Sequence, residues 1–258
     1  MKIISDISNS IIKQRRTELK QEKTLNNNCS FKSGNFTPLI DHMLDLAATK
    51  DSFSDDEIKD HLNTMVTAAY DSTAKSLYFT LILVGSHQEV QSRIFQEVHE
   101  VLGTEDRNLN KYDLQKLVYL EAVIKESLRL YPPAPRIARY INVEVKLKDY
   151  VLPAGSSSVI SIHAINRHPM WGADADQFRP ERWLDPASLP DNPNAFASFS
   201  FGKRNCIGKG YAMLALKSTL AHICRRYHII SRTSNLQTIC QAFQSPVKGN
   251  HLSIQVRN

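Results

Sequence analysis

FSFGKRNCIG, residues 199–208, is the stretch on which the whole chain turns. It sets one thiol, Cys206, between Gly202 and Gly208, behind the rings of Phe199 and Phe201 and among the cations Lys203, Arg204 and Lys209. A thiol becomes a good ligand only as the thiolate. Cys206 stands just ahead of KGYAMLALKSTLAHICRRY (209–227), an amphipathic helical pattern whose first backbone N–H groups and dipole favour negative charge. Gly202, Gly208 and Gly210 let the backbone turn tightly and approach a flat ligand closely. Arg204 offers a planar fork to a carboxylate, and the phenylalanines offer ring surface.

A flat, carboxylate-bearing macrocycle whose metal takes one thiolate meets all of these requirements, and haem with a cysteine axial ligand is such an object. A cysteine beside a glycine turn, taken alone, is more often a small buried hydrophobe. Here the cysteine belongs to the pattern F-x-x-G-x-R-x-C-x-G. At average residue usage, five such fixed positions coincide in a chain this long with a probability on the order of 10⁻⁴ or less.

The rest of the chain sets bounds. Its 258 residues are 42% hydrophobic and 22% charged, an ordinary globular composition with room for a sizeable core. There is no run of about eighteen apolar residues, and the opening MKIISDISNSIIKQRRTELK is too polar for a signal peptide or an anchor. The formal charge of +6 favours some acidic partner without choosing one. The basic residues are spread along the chain with no nucleic-acid-binding fingerprint, so no nucleic acid is expected. Cys29, Cys206, Cys224 and Cys240 form no CxxC pair and no tight framework, which weakens a metal-finger or disulfide-scaffold reading and favours a reducing compartment.

Helical periodicity alternates with short breaks. ISNSIIKQRRTEL (7–19) reads as a short amphipathic helix and QEKTLNNNCSFKSGN (21–35) as a polar linker. Ser54 and Glu57 form a capping box that opens a long helix over 54–84, with apolar Ile58, Leu62, Met65, Val66 and Ala69. Ser86 and Glu89 repeat that logic for QEVQSRIFQEVHEVL (88–102), and a third helix runs through 113–130 until Pro132 and Pro133 stop it. INVEVKLKDYVLPAGSSSVISIHAI (141–165) reads as strand and hairpin, and the tail 245–258 as a second small hairpin. The fold class is mainly α with minor β.

Three more motifs accompany the cysteine loop. Glu126 and Arg129 lie three apart on one helix face, a spacing that alone usually marks a solvated surface pair. Arg182 follows in FRPERWL. Asp71, Ser72 and Thr73 fall midway along the long helix, where they could be only a polar stripe. Arg139 follows a proline turn, where an arginine is more often simply solvated.

Phe199, Gly202, Arg204, Cys206 and Gly208, followed by Ala212, resemble the haem-binding loop of the cytochrome P-450 superfamily. The other motifs resemble that superfamily's segments in the same order, over essentially all 258 residues, and the texture is most similar to its microsomal, insect clan-4 branch. The resemblance implies that residues 1–258 are a partial domain, the C-terminal half of the fold, with the N-terminal half absent, and that this chain alone is not a competent enzyme. It implies haem b (iron protoporphyrin IX) on Cys206, with Arg204 and Arg139 toward its propionates, and a buried Glu126–Arg129–Arg182 network. Asp71, Ser72 and Thr73 are implied on the oxygen side, with Ala69 and Ser72 standing where the family usually has glycine and threonine.

The implied activity is a monooxygenase inserting one atom of O2 into a small hydrophobic substrate. Electrons would come from NADPH-cytochrome P-450 reductase, at the cytosolic face of the endoplasmic reticulum membrane, reached only through the absent N-terminal region. The rivals are a haem-thiolate isomerase or dehydratase that does not use O2, an inactive fragment, and a basic binding module.

Overall fold

A computed structural model of the chain describes residues 2–25, 37–50, 53–103, 107–232, 236–241, 243–247 and 251–257. The chain divides into two compact units, residues 1–70 and 71–258.

The first unit holds α1 (Lys2–Leu25), α2 (Leu39–Lys50) and the opening of α3 (Asp55–Ser86). Ile12, Met43, Leu44 and Ile58 form its core. The Arg15 guanidinium grips the Asp41 carboxylate at 2.7 and 2.9 Å, and Ser8 Oγ donates to Asn63 Oδ1 at 2.8 Å. The capping box is present: Glu57 N donates to Ser54 Oγ at 3.2 Å and Ser54 N donates to Glu57 Oε2 at 2.8 Å. Met65, Val66 and Tyr70 are exposed on α3.

The second unit contains the rest of α3, α4 (Gln88–Leu102), α5 (Lys111–Lys116), α6 (Val118–Leu130), the four-residue α7 (Ile162–Ile165) and α8 (Lys209–Arg226). Val90, Ile94 and Val98 of α4, Leu120, Val123 and Ile124 of α6, and Leu216, Leu220 and Cys224 of α8 close one apolar core with Val84 and Ile229. Apolar stripes at helical spacing on three helices explain that packing. Four two-stranded antiparallel ladders complete the unit: β1 (Arg136–Tyr140) with β4 (Ser157–Ser161), β2 (Val145–Lys146) with β3 (Val151–Leu152), β5 (Tyr227–Ser231) with β8 (Leu252–Val256), and β6 (Thr238–Cys240) with β7 (Gln244–Pro246). The chain is mainly helical with minor sheet. Among the described residues, no helix is long and apolar enough to cross a membrane.

Several elements differ in detail from the sequence expectation. The first helix extends to Leu25, so the start of the expected linker is helical, and residues 26–35 lie outside the described residues. Ser86 does not cap α4: its hydroxyl turns back to the carbonyls of Ile82 and Leu83, both at 3.0 Å, and the cap position falls to His87, whose side chain makes no capping bond. The third helix is two, α5 and α6, broken at Leu117 (φ −77°, ψ 71°). The tail is not a hairpin on itself, because β8 pairs back to β5 and leaves β7 to β6.

Candidate functional site

The cysteine loop hangs from a buried polar base. Asn166, fully buried, accepts from Ala197 N through Oδ1 at 3.1 Å and donates through Nδ2 to Ser198 Oγ at 2.8 Å. Ser198 Oγ donates to Leu128 O of α6 at 2.8 Å. Beyond this base the chain turns sharply: Ser200 holds φ 57° and Gly202 φ 74°, both left-handed, which a serine adopts only under constraint. Cys206 N donates to Phe199 O at 2.9 Å and closes the loop. A Cβ on Gly202 would touch nothing within 4 Å, so glycine is required there by conformation, whereas one on Gly208 would sit 3.9 Å from Cys206 Sγ.

The loop presents its chemistry outward. Cys206 is an exposed free thiol, three residues before α8 begins at Lys209. Arg204, Lys203 and Phe201 are exposed beside it. Phe199 is half-buried, edge-on to Phe196 at 6.2 Å, with Lys209 Nζ 5.8 Å above its ring. Cys224, by contrast, lies in the core, where burial pushes its thiol up to about 12. Only Cys206 of the two combines exposure with a cationic surround.

Behind the loop the structure brings together Glu126, Arg129 and Arg182, all fully buried. The helical spacing of α6 puts Glu126 and Arg129 on one face, and Pro180 opens the short 3-10 turn Pro180–Trp183 that delivers Arg182. Glu126 Oε1 accepts from Arg129 Nη2 at 2.8 Å, Arg182 Nε at 2.9 Å and Arg179 N at 3.0 Å. Its Oε2 accepts from Arg129 Nε and Trp183 Nε1, both at 2.9 Å. Arg129 Nη1 donates to Asn166 O at 2.7 Å, and this bond joins the network to the base of the cysteine loop. Burial pushes the Asp174 carboxyl up, but Arg182 and Arg179 outweigh it and hold that group below the usual range.

The helix residues are placed differently. Asp71, Ser72 and Thr73 are half-buried on α3. The Asp71 carboxylate is held by Lys75 Nζ at 2.5 Å, and Lys75 in turn lies 5.2 Å from the ring centre of Phe243. Ser72 gives its carbonyl to Ser76 Oγ at 2.8 Å. One turn on, Thr80 Oγ1 donates to Ser127 Oγ at 2.9 Å and ties α3 to α6. Arg139 sits on β1 opposite Ser158, its Nη1 donating to the Ala138 carbonyl at 2.9 Å.

Lys75, Asn166, Trp183 and Asp174 were not foreseen. Lys75 carries a readable signal, since Asp-to-Lys at i,i+4 is a standard helix pair. Trp183 shares the PERW turn with Arg182, but no local pattern marks Asn166. Among the described residues no group of three or more His, Cys, Asp or Glu could hold a metal ion.

Comparison with known proteins identifies the family. The cytochrome P450 family profile matches residues 1–252. The chain is 33% identical over 264 residues to cytochrome P450 4d2 of Drosophila melanogaster, covering 100% of this chain and 52% of the relative. It is 30% identical over 268 residues to cytochrome P450 4V2 of Homo sapiens, covering 100% of this chain and 50% of the relative. The chain thus spans about half the length of these curated relatives, insect and mammalian members of the P450 4 group. The crystal structure of a cytochrome P450 (CYP102L1) superposes with a TM-score of 0.81 at 23% identity, covering 100% of this chain and 56% of that one, a likeness of fold. From the cysteine loop to the family profile, the chain belongs to the cytochrome P450 family.

Proposed function

We propose that these residues form the haem-thiolate part of a monooxygenase, residues 1–258 being a partial domain of the family fold. The observation that carries the proposal is the exposed thiol of Cys206, presented by a strained loop that a buried network holds in place. The residues fit haem. The sulfur is free, a Cβ at Gly208 would come to 3.9 Å from it, and Ser200 and Gly202 turn the chain through left-handed φ just ahead of it.

Haem b, held by the Cys206 thiolate, would supply the oxidising chemistry for inserting one atom of O2 into a small hydrophobic substrate, with two electrons from the reductase and two protons taking the other atom to water. The chain's own residues do the rest. Cys206 ligates through Sγ, with the start of α8 favouring its negative charge. Arg204 and Arg139 would receive the propionates, with Phe199 packing behind the loop. On the oxygen side, Asp71, Ser72 and Thr73 hold and pass a proton, the Asp71 carboxylate being fixed by Lys75. Glu126, Arg129 and Arg182 do no chemistry; they brace the loop through Asn166.

Lys203 and Lys209 beside the thiol suit the acidic face of a flavoprotein, NADPH-cytochrome P-450 reductase, at the cytosolic side of the endoplasmic reticulum membrane. A hemin titration of the chain tests the cofactor assignment. Arg204→Ala weakens binding roughly 10- to 150-fold, the value of one charge-assisted contact, with the ferric spectrum unchanged. Equal affinity in parent and variant sinks the role given to Arg204.

A further inference from the structure

The Asp71–Lys75 pair on α3 has a third member that no helix pattern supplies. Asp71 Oδ2 lies 2.5 Å from Lys75 Nζ, one turn away. On an open helix surface such a pair favours its closed form only about twofold, because the lysine stem is long and water competes for its head. Lys75 is more confined than that. Its side chain is 19% exposed, and Nζ sits 5.2 Å from the ring centre of Phe243, within the range over which an aromatic face attracts an ammonium.

Phe243 is held from outside α3. It ends the turn between β6 and β7, where its carbonyl accepts from Gln241 N at 3.3 Å. The next residue, Gln244, donates its backbone N–H to Pro133 O at 2.8 Å, on the stretch that leads from α6 to β1. Gln244 Nε2 donates to Thr238 Oγ1 at 3.0 Å and ties the two strands of the hairpin together. Gln244 and Pro133 are both buried, so the place of the ring is set by the α6–β1 connection. A ring at the ammonium multiplies the preference for the closed pair by roughly two to five, which leaves it closed in most molecules.

We propose that Phe243 is a positioning residue, acting through Lys75 to hold the Asp71 carboxylate over the turn of α3 that carries Ser72 and Thr73. This rests on the reading of Asp71 as the acid of the oxygen side. An acid passes a proton only from within hydrogen-bond reach of the group that takes it, so a carboxylate that swings out to water is lost to the relay.

Two measurements test the role. The first needs no cofactor: the full chain is acetylated with a trace of acetic anhydride, and each lysine is followed by peptide mass, with exposed Lys148 as the reference. Phe243→Leu keeps apolar bulk and loses the ring face. It should raise the labelling of Lys75 roughly two- to fivefold with Lys148 unchanged, whereas Phe243→Tyr, which keeps the face, should match the parent. Equal labelling of Lys75 in the leucine and tyrosine variants overturns the proposal. The second measurement uses a longer protein that carries the rest of the family fold, loaded with haem and coupled to a reductase. The share of oxygen released as peroxide is read at saturating substrate, so that a change in KM does not enter. Phe243→Leu and Lys75→Met should both raise that share, and Phe243→Tyr and Lys75→Arg should keep it near the parent value. If Asp71→Asn raises it and Phe243→Leu does not, the positioning role is overturned while the acid keeps its place. If Asp71→Asn leaves it unchanged, the reading of Asp71 falls and this proposal falls with it.

Discussion

Replacing Glu126 by alanine removes the acceptor of five buried hydrogen bonds, from Arg129 Nε and Nη2, Arg182 Nε, Arg179 N and Trp183 Nε1. Both guanidinium groups stay at 0% exposure, with no solvent to take over the lost charge. They are not stripped bare. Arg129 keeps the carbonyls of Asn166, Ala175 and Gln177, and Arg182 keeps Trp171 O and Asp174. Breaking a buried pair from one side costs about 3–5 kcal/mol. Against a typical total of about 5–15 kcal/mol, that is a fifth or more of the stability. For a chain of this size it lowers the melting temperature by roughly 6–20 °C. Thermal unfolding followed by far-ultraviolet circular dichroism measures it directly. Glu126→Gln should fall in the same range, because an amide offers one acceptor where two oxygens now accept. Trp183→Phe, which removes a single bond to the carboxylate, should cost about 1.5–3 kcal/mol. A Glu126→Ala protein melting within about 2 °C of the parent would falsify the view that this network holds the loop.

Other outcomes follow from single features. Gly202→Ala places a Cβ at φ 74° and should cost about 1–2 kcal/mol, whereas Gly210→Ala, in α8 with open space around it, should be neutral or slightly stabilising; equal effects in chemical denaturation would refute the conformational requirement. Asp113 caps α5 and is gripped by Arg107, which holds its carboxyl at about 2 against an ordinary 3.8. Its contribution is therefore complete above about pH 4 and disappears as the pH falls toward 2, so the gap between parent and Asp113→Asn should close over that window. A gap independent of pH would count against the pairing. Placed in a longer protein that carries the rest of the family fold, loaded with haem and coupled to a reductase, Ser72→Ala should keep consuming reductant while more oxygen leaves as peroxide; unchanged coupling makes Ser72 merely a polar helix residue.

How much of this was legible depends on distance along the chain. The Ser54–Glu57 box could be read because both partners lie within one turn and nothing else competes for the hydroxyl. The same spacing at Ser86 and Glu89 misleads, because the Ser86 hydroxyl already serves the carbonyls of the helix it ends. The break between α5 and α6 falls at Leu117, with neither glycine nor proline to announce it; what fixes it is its complete burial in the core. The pairing of β8 with β5 instead of its neighbours is a tertiary choice that strand propensity does not encode. In the candidate site, the loop pattern singles out Cys206, which the structure leaves exposed. Asn166 had no local signature, since its importance comes from three partners brought in from α6 and from the segment leading to the loop.

Ligation by Cys206 is tested most directly by the difference spectrum of the reduced, hemin-loaded chain with and without carbon monoxide, recorded for the parent and for Cys206→Ser. The thiolate assignment predicts the red-shifted Soret band of a thiolate-ligated carbonyl complex in the parent and its loss in the variant, the serine leaving only an unshifted band. The same red-shifted band in Cys206→Ser would contradict it.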